Sequence, residues 1–257
     1  MRKFAVLGGG LVAALGALLA LRSGAAASDG AGSPGPVGGG PAVVLELFSS
    51  EGCSSCPPAD AYLSELDRTQ PVKGVTVIAL EEHVDYWNDL GWADPFSQPQ
   101  FSARQRQYAA AIGDRRVYTP ELLVDGHTPT DRGQAQEDLQ AAAREPKAHV
   151  DLERRGNRLG VIVRDVPRVA EDDPAEAWLA VTESHLTTHV ERGENAGRTL
   201  AHGPVVRRLE RIGRVDAEPS QLEVALDAGS SPATRAVVFV QRAKSKRILG
   251  AAAIAAK

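Results

Sequence analysis

Two thiols, three positions apart, are the first chemistry this sequence offers. The segment Ser50-Glu51-Gly52-Cys53-Ser54-Ser55-Cys56-Pro57-Pro58 holds the only two cysteines in 257 residues. Such a pair can exchange reversibly between dithiol and disulfide, hold a soft metal ion, or act as a structural staple. A bridge across two intervening residues closes a very short loop, so by the chain-entropy argument it stabilises a fold less than a long-range bridge would. The same spacing brings the two sulfurs together for exchange.

Compartment decides what the pair can mean. The chain opens with Met1-Arg2-Lys3, continues through an uncharged stretch from Phe4 to Leu21, and reaches the small-residue tract Ser23-Gly24-Ala25-Ala26-Ala27. Positive, apolar and small segments in that order read as a secretory signal peptide over 1–27, cleaved after Ala27; the alternative is an uncleaved membrane anchor. Both place the rest outside the cytoplasm, in the periplasm, the medium, or on the outer side of a membrane. Residues 28–41 are a flexible Gly/Pro-rich leader with little to bury. A net charge of −4 without a basic run excludes a nucleic-acid surface, and the only membrane contact expected is an uncleaved N-terminal segment.

The elements around the cysteines position them. Val43 to Phe48 reads as a strand buried on both faces. After the cysteines, Ala59, Tyr62, Leu63 and Leu66 line one face of a helix. The thiols therefore occupy a strand-to-helix turn, where free backbone N–H groups and the helix dipole favour a thiolate. Val75 to Leu80 is a second strand, and Pro99 opens a helix with Phe101, Tyr108 and Ile112 on one face. Leu122 to Val124 is a short strand ended by Asp125-Gly126, His127 to Asp131 returns antiparallel, and Gln134 to Arg144 is helical.

That order, with C-x-x-C at the first strand-to-helix turn and Thr119-Pro120 before the third strand, resembles the thioredoxin fold. The resemblance implies a cis Thr119–Pro120 bond packed against the pair, Cys53 as the exposed nucleophile and Cys56 as the shielded resolving thiol. The segments "ELFSSEGCSSCPPAD", "HVDYWNDLGWADPF", "ARQRQYA", "VYTPELLVDG" and "RGENAGRTL" together resemble a family of bacterial secreted proteins of unknown function with that fold. Two features depart from thioredoxin. The residues between the cysteines are Ser-Ser, and Pro57-Pro58 follow directly, so a helix starting there makes Cys56 its cap.

Glu46, inside the first strand, lies close to where the resemblance places a buried acid that deprotonates the resolving thiol. Its offset is one residue longer, and one residue turns a strand side chain to the other face, so an acid with purely local partners is the competing reading. His83, Asp85, Trp87 and Trp92 follow the second strand, at the edge where open α/β sheets place ligands. With Thr119 they form an expected substrate rim, or an insertion that packs on itself.

Residues 148–257 read as an all-β, sandwich-like domain built from the runs 149–154, 159–164, 177–182, 187–192, 205–212, 222–226, 236–241 and 248–254. Glu194, Asn195 and Arg198 sit in a polar Gly-rich loop, read as a solvated hairpin loop or a partner contact. The expectation is an α/β thioredoxin-like domain over 42–147 followed by this domain. Its function would be thiol–disulfide exchange with thiols or disulfides of other exported proteins, through Cys53, Cys56, Pro120 and Glu46, without a cofactor. The alternatives are a module holding copper or zinc on Cys53, Cys56 and His83, and an inert disulfide.

If the N-terminal segment is a cleaved signal, N-terminal sequencing of exported protein should start close to Ser28. Recovery of Met1 would show an anchor instead.

Overall fold

Two largely apolar runs form the central strands: β1 (Ala42–Ser49) and β2 (Thr76–His83) are buried along almost their whole length, as strands covered on both faces must be. The computed structural model describes residues 40–114, 116–168, 172–216, 219–226, 231 and 233–256. The expected signal peptide, and the leader up to residue 39, lie outside the described residues. No helix among the described residues is long and apolar enough to cross a membrane.

β1 and β2 pair in parallel, from Ala42 opposite Thr76 to Ser49 opposite His83. The crossover between them is α1 (Pro57–Thr69), which opens on two prolines and ends with Gln70 in the left-handed region. A 3-10 turn (Asn88–Leu90) leads to α2 (Pro99–Ile112), then β3 (Glu121–Val124), β4 (Thr128–Thr130) and α3 (Ala135–Ala143). β3 runs antiparallel to β1, and β4 antiparallel to β3. All but the 3-10 turn lie where the sequence pattern expects them.

The remainder is strand: β5 (His149–Arg155), β6 (Arg158–Arg164), β7 (Ala175–Glu183), β8 (Leu186–His189), β9 (Thr199–His202), β10 (Val205–Val215), β11 (Ser220–Ala225), β12 (Thr234–Arg242) and β13 (Ile248–Ala255). Eight of these nine overlap an expected run, and β9 has no counterpart among them.

The assembly differs from the expectation. One mixed eight-stranded sheet, in the order β13-β12-β7-β10-β2-β1-β3-β4, draws four strands from each half of the chain. A three-stranded sheet, β11-β6-β5, and a β8-β9 hairpin complete it. The expected α/β thioredoxin-like domain followed by a separate sandwich-like all-β domain is incorrect: the molecule is mostly strand, and its two halves share a sheet. The physical reason lies at the outer edge of β2. Val205 of β10 pairs there in parallel with Glu81, and Glu81 N–H donates to Pro204 O at 3.0 Å, so an edge that sequence pattern leaves open is occupied.

Side-chain parity then sorts the core. On one face, Val43, Leu45 and Leu47 of β1 and Val77 and Ala79 of β2 pack against Leu63 and Leu66 of α1 and Leu139 of α3. Further along the same face, Leu179 and Val181 of β7 and Val238 and Val240 of β12 meet Leu159, Val161 and Val163 of β6. On the opposite face, Val44, Ile78, Leu80, Val237 and Phe239 pack with Phe101 of α2.

Glu46 belongs to the opposite face, turned away from α1 and the cysteines. Its Oε1 accepts from Arg104 Nε at 2.9 Å and from Arg104 Nη2 at 2.6 Å, and its Oε2 accepts from Tyr108 Oη at 2.6 Å. The neighbouring Glu82 is also fully buried, with Oε1 3.3 Å from Arg104 Nε. Burial, reinforced by the adjacent Glu46 carboxylate against the pull of Arg104, pushes the Glu82 pKa well up. Arg104 is thus the one cation between two buried acids, and its guanidinium also lies over the Tyr108 and Phe239 rings.

Arg104→Met should therefore destabilise the protein by about 3–5 kcal/mol, the cost of breaking a buried pair by removing one partner. Urea denaturation measures it. A loss under about 1 kcal/mol would mean that the two acids do not depend on Arg104.

Candidate functional site

Cys53 and Cys56 are joined in a disulfide, with Cα atoms 5.5 Å apart. Their loop is built by backbone hydrogen bonds: Cys53 N–H donates to Ser50 O at 3.1 Å, and Cys56 N–H to Cys53 O at 3.3 Å. Cys56 is the N-cap of α1, as Pro57-Pro58 foretell. The expected free N–H groups are not there, however. Pro57 and Pro58 carry none, and Ala59 and Asp60 both donate to Cys56 O.

Exposure corrects a second expectation. Cys53 is 1% exposed and Cys56 0%, so neither sulfur is an open nucleophile in the disulfide form, while Ser54 and Ser55 carry the exposed surface of the loop. The Gly-rich loop that closes the β8-β9 hairpin is exposed along most of its length, as a solvated hairpin loop is, but it is also tied to the cysteine loop. Buried Asn195 donates through Nδ2 to Glu51 O at 2.8 Å and Cys53 O at 2.9 Å, and Glu194 Oε2 accepts from Ser54 N–H at 3.0 Å. Arg198 in turn donates to Asn195 Oδ1 at 2.6 Å. Gly193, at φ 81°, brings this loop against Trp92: a Cβ there would sit 3.3 Å from Trp92 Cβ.

The expected rim divides. Trp87 reaches both sides of the site: its indole N–H donates to Thr119 Oγ1 at 2.8 Å, and a Cβ at Gly52 would lie 3.1 Å from Trp87 Cβ. Thr119–Pro120 is cis, and both residues are half-buried. Asp85 instead turns to α2, where Ser102 Oγ donates to its Oδ1. His83 is fully buried and points under the cysteine loop, so it takes part in no open rim.

What lies there is a polar cluster that sequence reading largely missed. His83 Nδ1 is 2.6 Å from Asp94 Oδ2, and His83 Nε2 is 3.0 Å from Glu81 Oε1. His202, at the end of β9, places Nδ1 3.0 Å from the same Glu81 oxygen and Nε2 3.1 Å from Glu51 Oε1. Trp92 Nε1 donates to Glu51 Oε2 at 2.7 Å, and Asp94 accepts from Glu51 N–H at 2.8 Å. Burial opposes every one of these charges, yet the pairing wins. It pulls Glu81 down to about 2 and raises His202 to about 9 and His83 well above its ordinary value. A sequence signal existed for one part only: Glu81 and His83, two apart in a strand, share a face.

The expected thiolate–histidine metal set is not assembled. The two sulfurs bond each other, and both His83 nitrogens face carboxylates. Asp60, and not Glu46, is an acid on the cysteines' side of the sheet. It sits four residues after Cys56, whose own backbone is helical (φ −74°, ψ −42°), so the two side chains are neighbours on one buried face. Burial first, then the Glu81 charge, raises the Asp60 pKa to about 7, against a 2.5 Å hydrogen bond from Ser49 Oγ.

A carboxyl raised in this way binds its proton more tightly folded than unfolded. Its stabilising contribution is complete below the ordinary carboxylate range and is lost as pH rises through about 7. Asp60→Asn, which cannot ionise, should hold its urea midpoint between pH 5 and 8 better than the native protein does. Parallel pH profiles for the two proteins would show that Asp60 does not titrate in this window.

No curated protein matches this chain. Its structure is similar to the crystal structure of an Agrobacterium tumefaciens protein, with a TM-score of 0.70 and 25% identity, covering 84% of this chain and 94% of that one. The likeness to a DUF3823 family protein from Bacteroides ovatus has a TM-score of 0.26 at 15% identity, covering 42% and 54% of the two chains, and carries no argument. Residues 44–241 match DUF1223, a protein family of unknown function, and the chain belongs to that family.

Proposed function

We propose that the protein carries out thiol–disulfide exchange with other exported proteins through Cys53 and Cys56. The observation that carries this reading is the disulfide itself, closed over two residues at the start of α1. A bridge that short contributes little as a staple, whereas it is well placed to open and re-form. Asp60, with a pKa of about 7 beside Cys56, supports the reading, because a group half-ionised near neutrality can take a proton from a thiol or return it.

The exchange runs in two balanced steps. A partner thiolate attacks one sulfur, forming a mixed disulfide and releasing the other sulfur as a thiolate that takes up a proton. A second partner thiolate then attacks the mixed bond, leaving a partner disulfide and a reduced Cys53/Cys56 pair. Two electrons pass from partner to protein, and reversal of both steps passes them back. Access requires the cysteine loop to move, because both cysteines are buried and Asn195 and Glu194 hold the backbone of Cys53 and Ser54. The burial of both cysteines favours a second reading, an inert disulfide that locks the loop onto α1.

The two readings part in single-cysteine variants. With Cys53 as the attacking thiol, Cys56→Ser should accumulate reductant-sensitive adducts on a non-reducing gel of material from the exporting cell, and Cys53→Ser should accumulate none. Adducts with Cys53→Ser alone would reverse the roles of the sulfurs. Adducts with neither would favour the inert disulfide.

A further inference from the structure

The exchange reading leaves unused the most concentrated group of ligating side chains among the described residues. Glu81, His83 and His202 each offer one ligand atom, and these atoms all lie within 4.8 Å of one another. Both imidazoles aim one nitrogen at the same oxygen: His83 Nε2 and His202 Nδ1 are each 3.0 Å from Glu81 Oε1. Around an ion with bonds of about 2.05 Å, tetrahedral ligand atoms stand roughly 3.3 Å apart, close to the 3.0 Å that separates each of these nitrogens from the Glu81 oxygen.

The surroundings are those a metal centre needs. Each ring turns its second nitrogen to a carboxylate, His83 Nδ1 to Asp94 at 2.6 Å and His202 Nε2 to Glu51 at 3.1 Å. Those carboxylates are themselves held, Asp94 by the backbone N–H groups of Glu51 and Phe96 and Glu51 by the Trp92 indole. Carboxylate–histidine pairs of this kind fix ring tautomer and orientation in metal sites. The free oxygen of Glu81 is fixed by Gly203 N–H at 2.8 Å. Phe96 packs edge-on against both rings, with centroids 5.4 and 5.5 Å away.

A proton on every ring nitrogen would set two imidazolium ions side by side, ring centroids 4.9 Å apart. One divalent cation at the shared point satisfies the same carboxylate while both rings stay neutral. His202 and Gly203 also border a cavity of about 630 Å³ lined by Ser64 of α1 and Leu186 and Thr187 of β8, while the imidazole of His202 is itself buried.

We propose that His83 Nε2, His202 Nδ1 and a Glu81 oxygen bind a divalent first-row transition-metal ion, with Asp94 and Glu51 as positioning residues. Two imidazoles and one carboxylate suit zinc, iron(II), cobalt or nickel, and not calcium or magnesium, which take oxygen ligands alone. This site is independent of the exchange reading, since it uses neither sulfur.

The test uses the full chain in its disulfide form, treated with chelator and titrated with Zn²⁺ by calorimetry, so that thiolates are unavailable as ligands. One ion should bind per chain. His202→Ala should weaken binding at least 100-fold, Asp94→Asn about 10- to 100-fold, and the Cys53→Ser/Cys56→Ser double variant not at all. Should His202→Ala fail to fold, Co²⁺ added to the native protein decides, the expected spectrum showing d–d bands without thiolate-to-metal charge transfer. Absence of saturable binding in the disulfide form, full binding by folded His202→Ala, loss of binding in the cysteine double variant, or a thiolate band would each overturn the proposal.

Discussion

One carboxylate, Glu81, joins parts of the chain that are far apart in sequence. Its backbone forms the junction of β2 and β10, the contact that makes one sheet of the two halves. Its side chain accepts Gly203 N–H and faces both His83 and His202. An ionised carboxylate at zero exposure is costly unless its partners are good. Hydrogen bonds from both histidines hold its pKa below the ordinary carboxylate range against that cost. From Glu81 the linkage passes through His202 to Glu51, and Glu51 lies two residues before Cys53. The cysteine loop is thus braced from beneath by charge and from above by Asn195.

This bracing has consequences for the disulfide. A loop held by Asn195, Glu194, Asp94 and Trp87 has a defined shape that does not depend on the S–S bond alone. Both cysteines are buried within that loop.

Much of the local structure was legible. Apolar runs and helical spacing located every element before β5 except the 3-10 turn, and the C-x-x-C spacing pointed to the disulfide. Assembly was not legible, because β10 meets β2 through a single parallel pair, Val205 with Glu81, which leaves no periodic trace. Glu46 could not be assigned to a face by counting, since its strand is apolar on both. The strand register, with Leu45 and Leu47 toward α1, settles it. Asp60 was hidden among helix-start residues, where a first-turn acid is ordinary. His202 and Asn195 lie more than 140 residues beyond the cysteine loop they contact, and nothing in their neighbouring sequence announces it.

The central claim is that Cys53 and Cys56 form an exchanging pair and not a staple, and the most direct test is the reduction potential of that pair in the intact protein. Equilibration with glutathione, read by alkylation of freed thiols, should give a value within the range of known exchange proteins, roughly −120 to −270 mV. A value below about −300 mV, typical of structural disulfides in secreted proteins, would contradict the account.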